Sequence, residues 1–215
     1  MIEAPSRKRI FVNVSLAALL ILGAGAAGAH GTEEHAEASP GTADTASVSD
    51  VRVLDLELTD QNGQPQMFRD DVIGDRIVVM DFIYTSCTTV CPVVSAILGQ
   101  VAQRLGDRLG RDVFLVSLSV DPVTDRPARL RAYAQKQRAG EGWIWLTGKK
   151  LTVDKVLEGL GAYSPAYEEH PSMMLVGDGQ TGEWTRFFGF PAPDKIIAEV
   201  DALSAARAHA ATVAQ

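Results

Sequence analysis

Cys87 and Cys91 are the only cysteines in this chain of 215 residues. They stand four positions apart in Asp81-Phe82-Ile83-Tyr84-Thr85-Ser86-Cys87-Thr88-Thr89-Val90-Cys91-Pro92. Side chains at i and i+4 share one helix face, so the two thiols can close a disulfide or grip one soft metal ion together. In the loop and first turn of a helix, unpaired N–H groups and the helix dipole favour anions. Both thiols are therefore expected to have lowered pKa values and to supply thiolate near neutral pH. Thiolate is at once the nucleophile and the metal ligand, so the pair suits disulfide exchange and metal binding alike. A structural staple is the poorer reading, because closing so short a loop contributes little chain entropy.

His170 is the third candidate. Of the four histidines, His30 and His35 lie in a polar segment and His209 near the C-terminus, whereas His170 opens the apolar run Ser172 to Val176. A lone histidine at a strand entrance is commonly a surface group. In a thioredoxin-type sheet, however, the loop entering that strand faces the cysteine-bearing helix start. Two thiolates and a neutral imidazole suit a soft, three-coordinate Cu(I) ion, and Cu(II) would neutralise them formally. Structural zinc would want a fourth ligand, and no third cysteine exists.

The surrounding pattern supplies the elements that must hold these groups. Val53, Leu54, Leu56 and Leu58, then Gln61-Asn62-Gly63-Gln64, then Met67-Phe68 read as a β-hairpin. Ile77 to Ile83 is apolar enough for a central strand. Pro92 suits a helix start, and Val93, Ile97, Val101 and Leu105 carry a helical stripe to about Leu109. Val113 to Val120 is another strand, ended by Asp121-Pro122, and Asp125 can cap a helix reaching Arg138. Trp143 to Leu146 is a short strand, and a helix from Thr152 or Asp154 ends at Gly159 to Gly161. Ser172 to Val176 and Trp184 to Phe188 pair around Asp178-Gly179, and Pro193 to about His209 is a terminal helix. This order implies an α/β, thioredoxin-like fold: a central mixed sheet flanked by helices, with an N-terminal β-hairpin extension.

Local readings explain the other polar and soft residues. Asp121 and Asp125 serve as strand end and helix cap. Strand alternation sends one of Met173 and Met174 inward and the other out. Trp143, Trp145 and Trp184 read as packing residues, and Tyr84 as a wall beside the thiols.

Arg7-Lys8-Arg9 precedes twenty weakly polar residues, Ile10 to Ala29, ending in Ala27-Gly28-Ala29. Residues 1–29 are thus a signal peptide or a membrane anchor, and either exports the domain. Residues 30–49 contain one large apolar side chain, Val48, and read as a flexible linker. The folded domain spans 50–209, and 210–215 is a disordered tail. The chain carries a net charge of −7. Without residues 1–29, which hold Arg7, Lys8, Arg9 and Glu3, the balance is about −9. So acidic a chain without a basic stripe is a poor partner for nucleic acid or anionic membrane surfaces.

Three blocks together resemble the Sco/SenC copper-chaperone family: Tyr84 to Pro92, Ser119-Val120-Asp121-Pro122-Val123-Thr124-Asp125, and Glu169-His170-Pro171-Ser172. The resemblance covers about residues 50–206. It implies a thioredoxin fold, copper as Cu(I) or Cu(II), and Cys87, Cys91 and His170 as metal ligands. It further implies a copper-accepting apo-protein partner, a cytochrome c oxidase subunit whose dinuclear copper centre is assembled, and a thioredoxin-like reductant. The domain would act on the periplasmic side, soluble or tethered to the inner membrane. Thr88 and Glu169 depart from the family's usual Pro and Asp. Glu169 can still orient the imidazole, and Thr88 alters the rigidity of the helix start and the redox poise. Three functions follow: a metallochaperone; a thiol–disulfide oxidoreductase in which Cys87 attacks and Cys91 resolves; and a copper or redox sensor.

Overall fold

The computed structural model describes residues 46–213. Its centre is one eight-stranded mixed sheet, in the order β1-β8-β7-β4-β5-β6-β2-β3. The strands are β1 (Ala46–Val48), β2 (Glu57–Asp60), β3 (Pro65–Met67), β4 (Ile77–Ile83), β5 (Val113–Ser119), β6 (Trp143–Thr147), β7 (Met173–Asp178) and β8 (Trp184–Phe188). The helices are α1 (Val90–Leu105), α2 (Pro127–Lys136), α3 (Lys150–Leu160) and α4 (Pro193–Val213). Strands β4, β5 and β6 run parallel, joined by crossovers through α1 and α2, while β7 lies antiparallel on the other side of β4. This is the thioredoxin-like arrangement that the sequence implies, with the β2–β3 hairpin added antiparallel to β6.

Apolar residues fill both faces of the sheet, which is why β4 lacks any polar alternation except at Asp81. Ile77, Val79 and Ile83 face a core shared with Val94, Leu98 and Val101 of α1, Leu130 and Tyr133 of α2, and Ile196 and Val200 of α4. Val78, Met80 and Phe82 face a second core built with Val153, Val156 and Leu160 of α3, and with Phe68 and Val72 before β4. Met173 and Met174 do alternate, but each enters a different core and both are buried. Neither points to solvent, because helices cover both sides. Trp143, Trp145 and Trp184 are buried as expected, the first two stacked at 5.0 Å.

Several boundaries differ from the sequence reading. Ala46–Val48, inside the 30–49 linker, pairs with β8 as an edge strand. Its side chains are exposed, so backbone bonds alone hold it and composition gave no sign of it. At the other end α4 continues to Val213, through the first four residues assigned to the tail. Helix α1 stops at Leu105, followed by the separate turn Gly106–Arg108. Helix α2 begins after Arg126, and Asp125 does not cap it. The leader and residues 30–45 lie outside the described residues.

Candidate metal and dithiol site

The chain leaves the sheet after Ile83 and turns at Tyr84–Cys87, the Cys87 N–H donating to the Tyr84 carbonyl at 3.1 Å. Helix α1 then starts at Val90 without a side-chain oxygen capping it. Its Cys91 N–H donates to the Cys87 sulfur instead, at 3.3 Å. Cys87 thus occupies the anion position that helix N-termini offer. Both cysteines are unbonded thiols; Cys87 is 8 % exposed and Cys91 1 %.

The two thiols are not equivalent. Burial alone would push Cys87 up, but the Cys91 thiol and N–H, together with Thr89 and Tyr84, donate to it and bring it down to about 6. Burial and the neighbouring Cys87 thiolate push Cys91 up to about 12. The expectation of two lowered thiols holds for Cys87 and fails for Cys91. One proton is shared within the pair, and it resides on the deeper sulfur. Iodoacetamide is therefore expected to label Cys87 with a pH midpoint near 6 and to leave Cys91 unlabelled in the folded protein. Cys91→Ala removes the S–H donor and should raise that midpoint, as read from thiolate ultraviolet absorbance. An unchanged midpoint would refute this account of the lowering.

His170 follows the short turn Tyr167–Glu169 and precedes β7. It lines, with Tyr84, Cys87, Cys91 and Glu168, a cavity of about 100 Å³. The remote imidazole and the thiol pair therefore share one opening, as the topology suggested. Its Nδ1 lies 3.2 Å from the Pro171 carbonyl oxygen, and its ring stands edge-on to Tyr84 at 5.9 Å. Burial holds its pKa below the ordinary histidine value, which keeps the imidazole neutral and its lone pair available. Glu169 makes no hydrogen bond to the ring; the acidic residue at the cavity is Glu168. Among the described residues, no three His, Cys, Asp or Glu side chains converge closely enough to hold a metal ion.

Two buried carboxyl groups support the site. Asp125 accepts from the Thr85 N–H and hydroxyl, and from the Ser119 hydroxyl at 2.7 Å. It ties the turn that carries Cys87 to the loop after β5, across forty residues of sequence. Asp81 is fully buried in β4 opposite Ser117 of β5, and neither of its oxygens makes a well-formed hydrogen bond. Desolvation lifts it to about 7, against smaller easing from Ser117 and the backbone, and its charge adds to the upward push on Cys91. A lone aspartate inside an otherwise apolar strand was the signal for it.

The SCO1/SenC family model matches residues 47–203. The chain belongs to the SCO1/SenC family. It is 32% identical over 114 residues to a candidate copper-binding protein of Stutzerimonas stutzeri, covering 53% of this chain and 54% of that one. The chain spans about half the length of that curated relative. A SCO1/SenC family lipoprotein from Bacillus anthracis superposes with a TM-score of 0.62 at 25% identity, covering 73% of this chain and 97% of its own. Bradyrhizobium japonicum ScoI, solved with copper bound, has a TM-score of 0.58 at 23% identity, covering 70% of this chain and 98% of its own. At that identity the latter likeness concerns the fold. No helix among the described residues of this SCO1/SenC protein is long and apolar enough to cross a membrane.

Proposed function

We propose that this protein is an exported copper metallochaperone that binds one copper ion through Cys87, Cys91 and His170 and passes it to an apo-acceptor. The observation that carries the reading is the small cavity lined by both thiols and a neutral imidazole. Two soft sulfurs and one nitrogen fit Cu(I). The Stutzerimonas relative is a candidate copper-binding protein, and the Bradyrhizobium ScoI holds copper. The Cys87 thiolate, more exposed and capping a helix, meets the incoming ion first; Cys91 loses its proton as the second sulfur engages; His170 turns from Pro171 to close the set. On release an acceptor thiolate replaces Cys87 first, and Cys91 and His170 let go last. The family resemblance supports a cytochrome c oxidase subunit as acceptor, and the basic-then-apolar leader supports action on the periplasmic side.

A second reading, thiol–disulfide exchange, is favoured by the asymmetry of the two thiols. An acidic Cys87, the more exposed of the two, with a protonated Cys91 beneath it is the arrangement of an attacking and a resolving thiol. Cys87 attacks a disulfide sulfur, expelling one thiolate; Cys91, deprotonated, then attacks the Cys87 sulfur of the mixed disulfide, expelling the second substrate thiolate and closing the Cys87–Cys91 disulfide.

His170→Ala separates the two. Cu(I) affinity, measured anaerobically against a competing chelator, is expected to fall at least about 10-fold, since even an outer partner of a ligand is worth that much. Exchange with a mixed disulfide should persist at the wild-type rate. Unchanged copper affinity would remove the imidazole from the metal set.

A further inference from the structure

A second cavity, of about 300 Å³, opens beside the thiol site between the β5–α2 loop and α3. Its polar lining includes Asp121, Asp154, Lys150 and Tyr167. Tyr167 packs edge-on against Tyr84 at 5.2 Å, so the two cavities share a wall. Asp121 is 5 % exposed. Its Oδ1 accepts the Thr124 N–H at 3.2 Å, but its Oδ2 is shut off from solvent and has no hydrogen-bond partner. A buried carboxylate oxygen without a donor is costly unless a ligand satisfies it.

The charge balance states what that ligand must be. Asp121 and Asp154 face a single cation, Lys150, whose Nζ lies 2.7 Å from Asp154. That side chain is 56% exposed, at the first residue of α3, where the helix dipole disfavours a cation. Such a pair contributes little, so a competing cation can displace Lys150 from Asp154. Pro122, Val123, Leu157 and Pro165 add apolar wall against which a guanidinium plane can lie. We infer that this cavity receives an arginine side chain of a docked polypeptide, whose guanidinium displaces Lys150 and bridges Asp121 and Asp154. A planar fork of donors reaches two carboxylates at once, which an ammonium cannot do as well. The chain's net charge of −7 favours a basic partner. The cavity's position would hold that partner beside Cys87. Asp121 also belongs to the network at the Cys87 turn: its N–H donates to the Ser119 hydroxyl, which donates to Asp125.

The test uses the full chain, reduced, metal-free and uniformly nitrogen-15 labelled, titrated at low salt with N-acetyl-arginine amide while amide chemical shifts are followed. Saturable shifts are expected at the non-proline residues of 120–124 and 164–167, with none from the uncharged citrulline analogue. Asp121→Asn keeps the Oδ1 acceptor and should weaken binding at least about tenfold. Lys150→Ala, a change at an exposed side chain, should tighten it, because the competing ammonium is gone. Lys150→Ala alone decides the matter if Asp121→Asn does not fold. Equal shifts from citrulline, absent shifts, unchanged binding in Asp121→Asn, or weaker binding in Lys150→Ala would each overturn the inference. Since no copper is present, failure here leaves the copper reading standing.

Discussion

Asp81→Asn is expected to stabilise the protein at pH 8 by about 4 kcal/mol while changing little near pH 4. The folded state raises this carboxyl from 3.8 to about 7, and each unit is worth about 1.4 kcal/mol. The sign follows from proton counts. Between pH 4 and 7 the native protein keeps the Asp81 proton that the unfolded chain has released, so stability falls as pH rises through that window. The contribution is fully present below the unfolded value and lost by the folded one. Asparagine cannot ionise, so the variant should lack this slope. Urea unfolding of both proteins at pH 4, 6 and 8 measures the difference. Parallel stability curves would mean that Asp81 does not titrate as a buried, unpartnered acid.

Cys87→Ser or Cys91→Ser is expected to lower Cu(I) affinity by more than about 100-fold, beyond the span of outer-shell substitutions. Each removes a soft donor, and a hydroxyl at that position is a hard, protonated substitute. The two variants should nevertheless differ. Cys91→Ser keeps a lowered Cys87 thiol at the cavity mouth, because the introduced hydroxyl can still donate to it. Cys87→Ser relieves the charge that pushes Cys91 up, but leaves its burial. Chelator competition under anaerobic conditions gives the affinities. Tight equimolar binding by either single variant would show that copper is held elsewhere.

Much of this was legible in the chain itself. The thiol pair announced itself by spacing, and β4 by its unbroken apolar run. The hairpin around Asn62-Gly63 and the hairpin of β7 and β8 followed from turn residues. The misreadings share one physical cause: sequence displays only local partners. Asp125 looks like a cap for the helix two residues on, yet it accepts from Ser119 at the end of β5 and from Thr85, forty residues back after the neighbouring strand β4. Strand β1 has no apolar side chain facing a core, so its pairing with β8 left no pattern to read. The helix dipole argued for two acidic thiols, but burial of Cys91 beneath Cys87 is a tertiary fact and it prevails. The orphaned oxygens of Asp81 and Asp121 are likewise visible only once their surroundings close around them.

X-ray absorption at the copper edge of the Cu(I)-loaded, reduced protein probes the decisive feature, a ring now held beside Pro171 joining two sulfurs on one ion. The expected spectrum fits two sulfur scatterers and one nitrogen with the outer-shell pattern of an imidazole, and His170→Ala loses that pattern. A spectrum with sulfur alone, identical in wild type and variant, would contradict it and leave a dithiol site without its histidine.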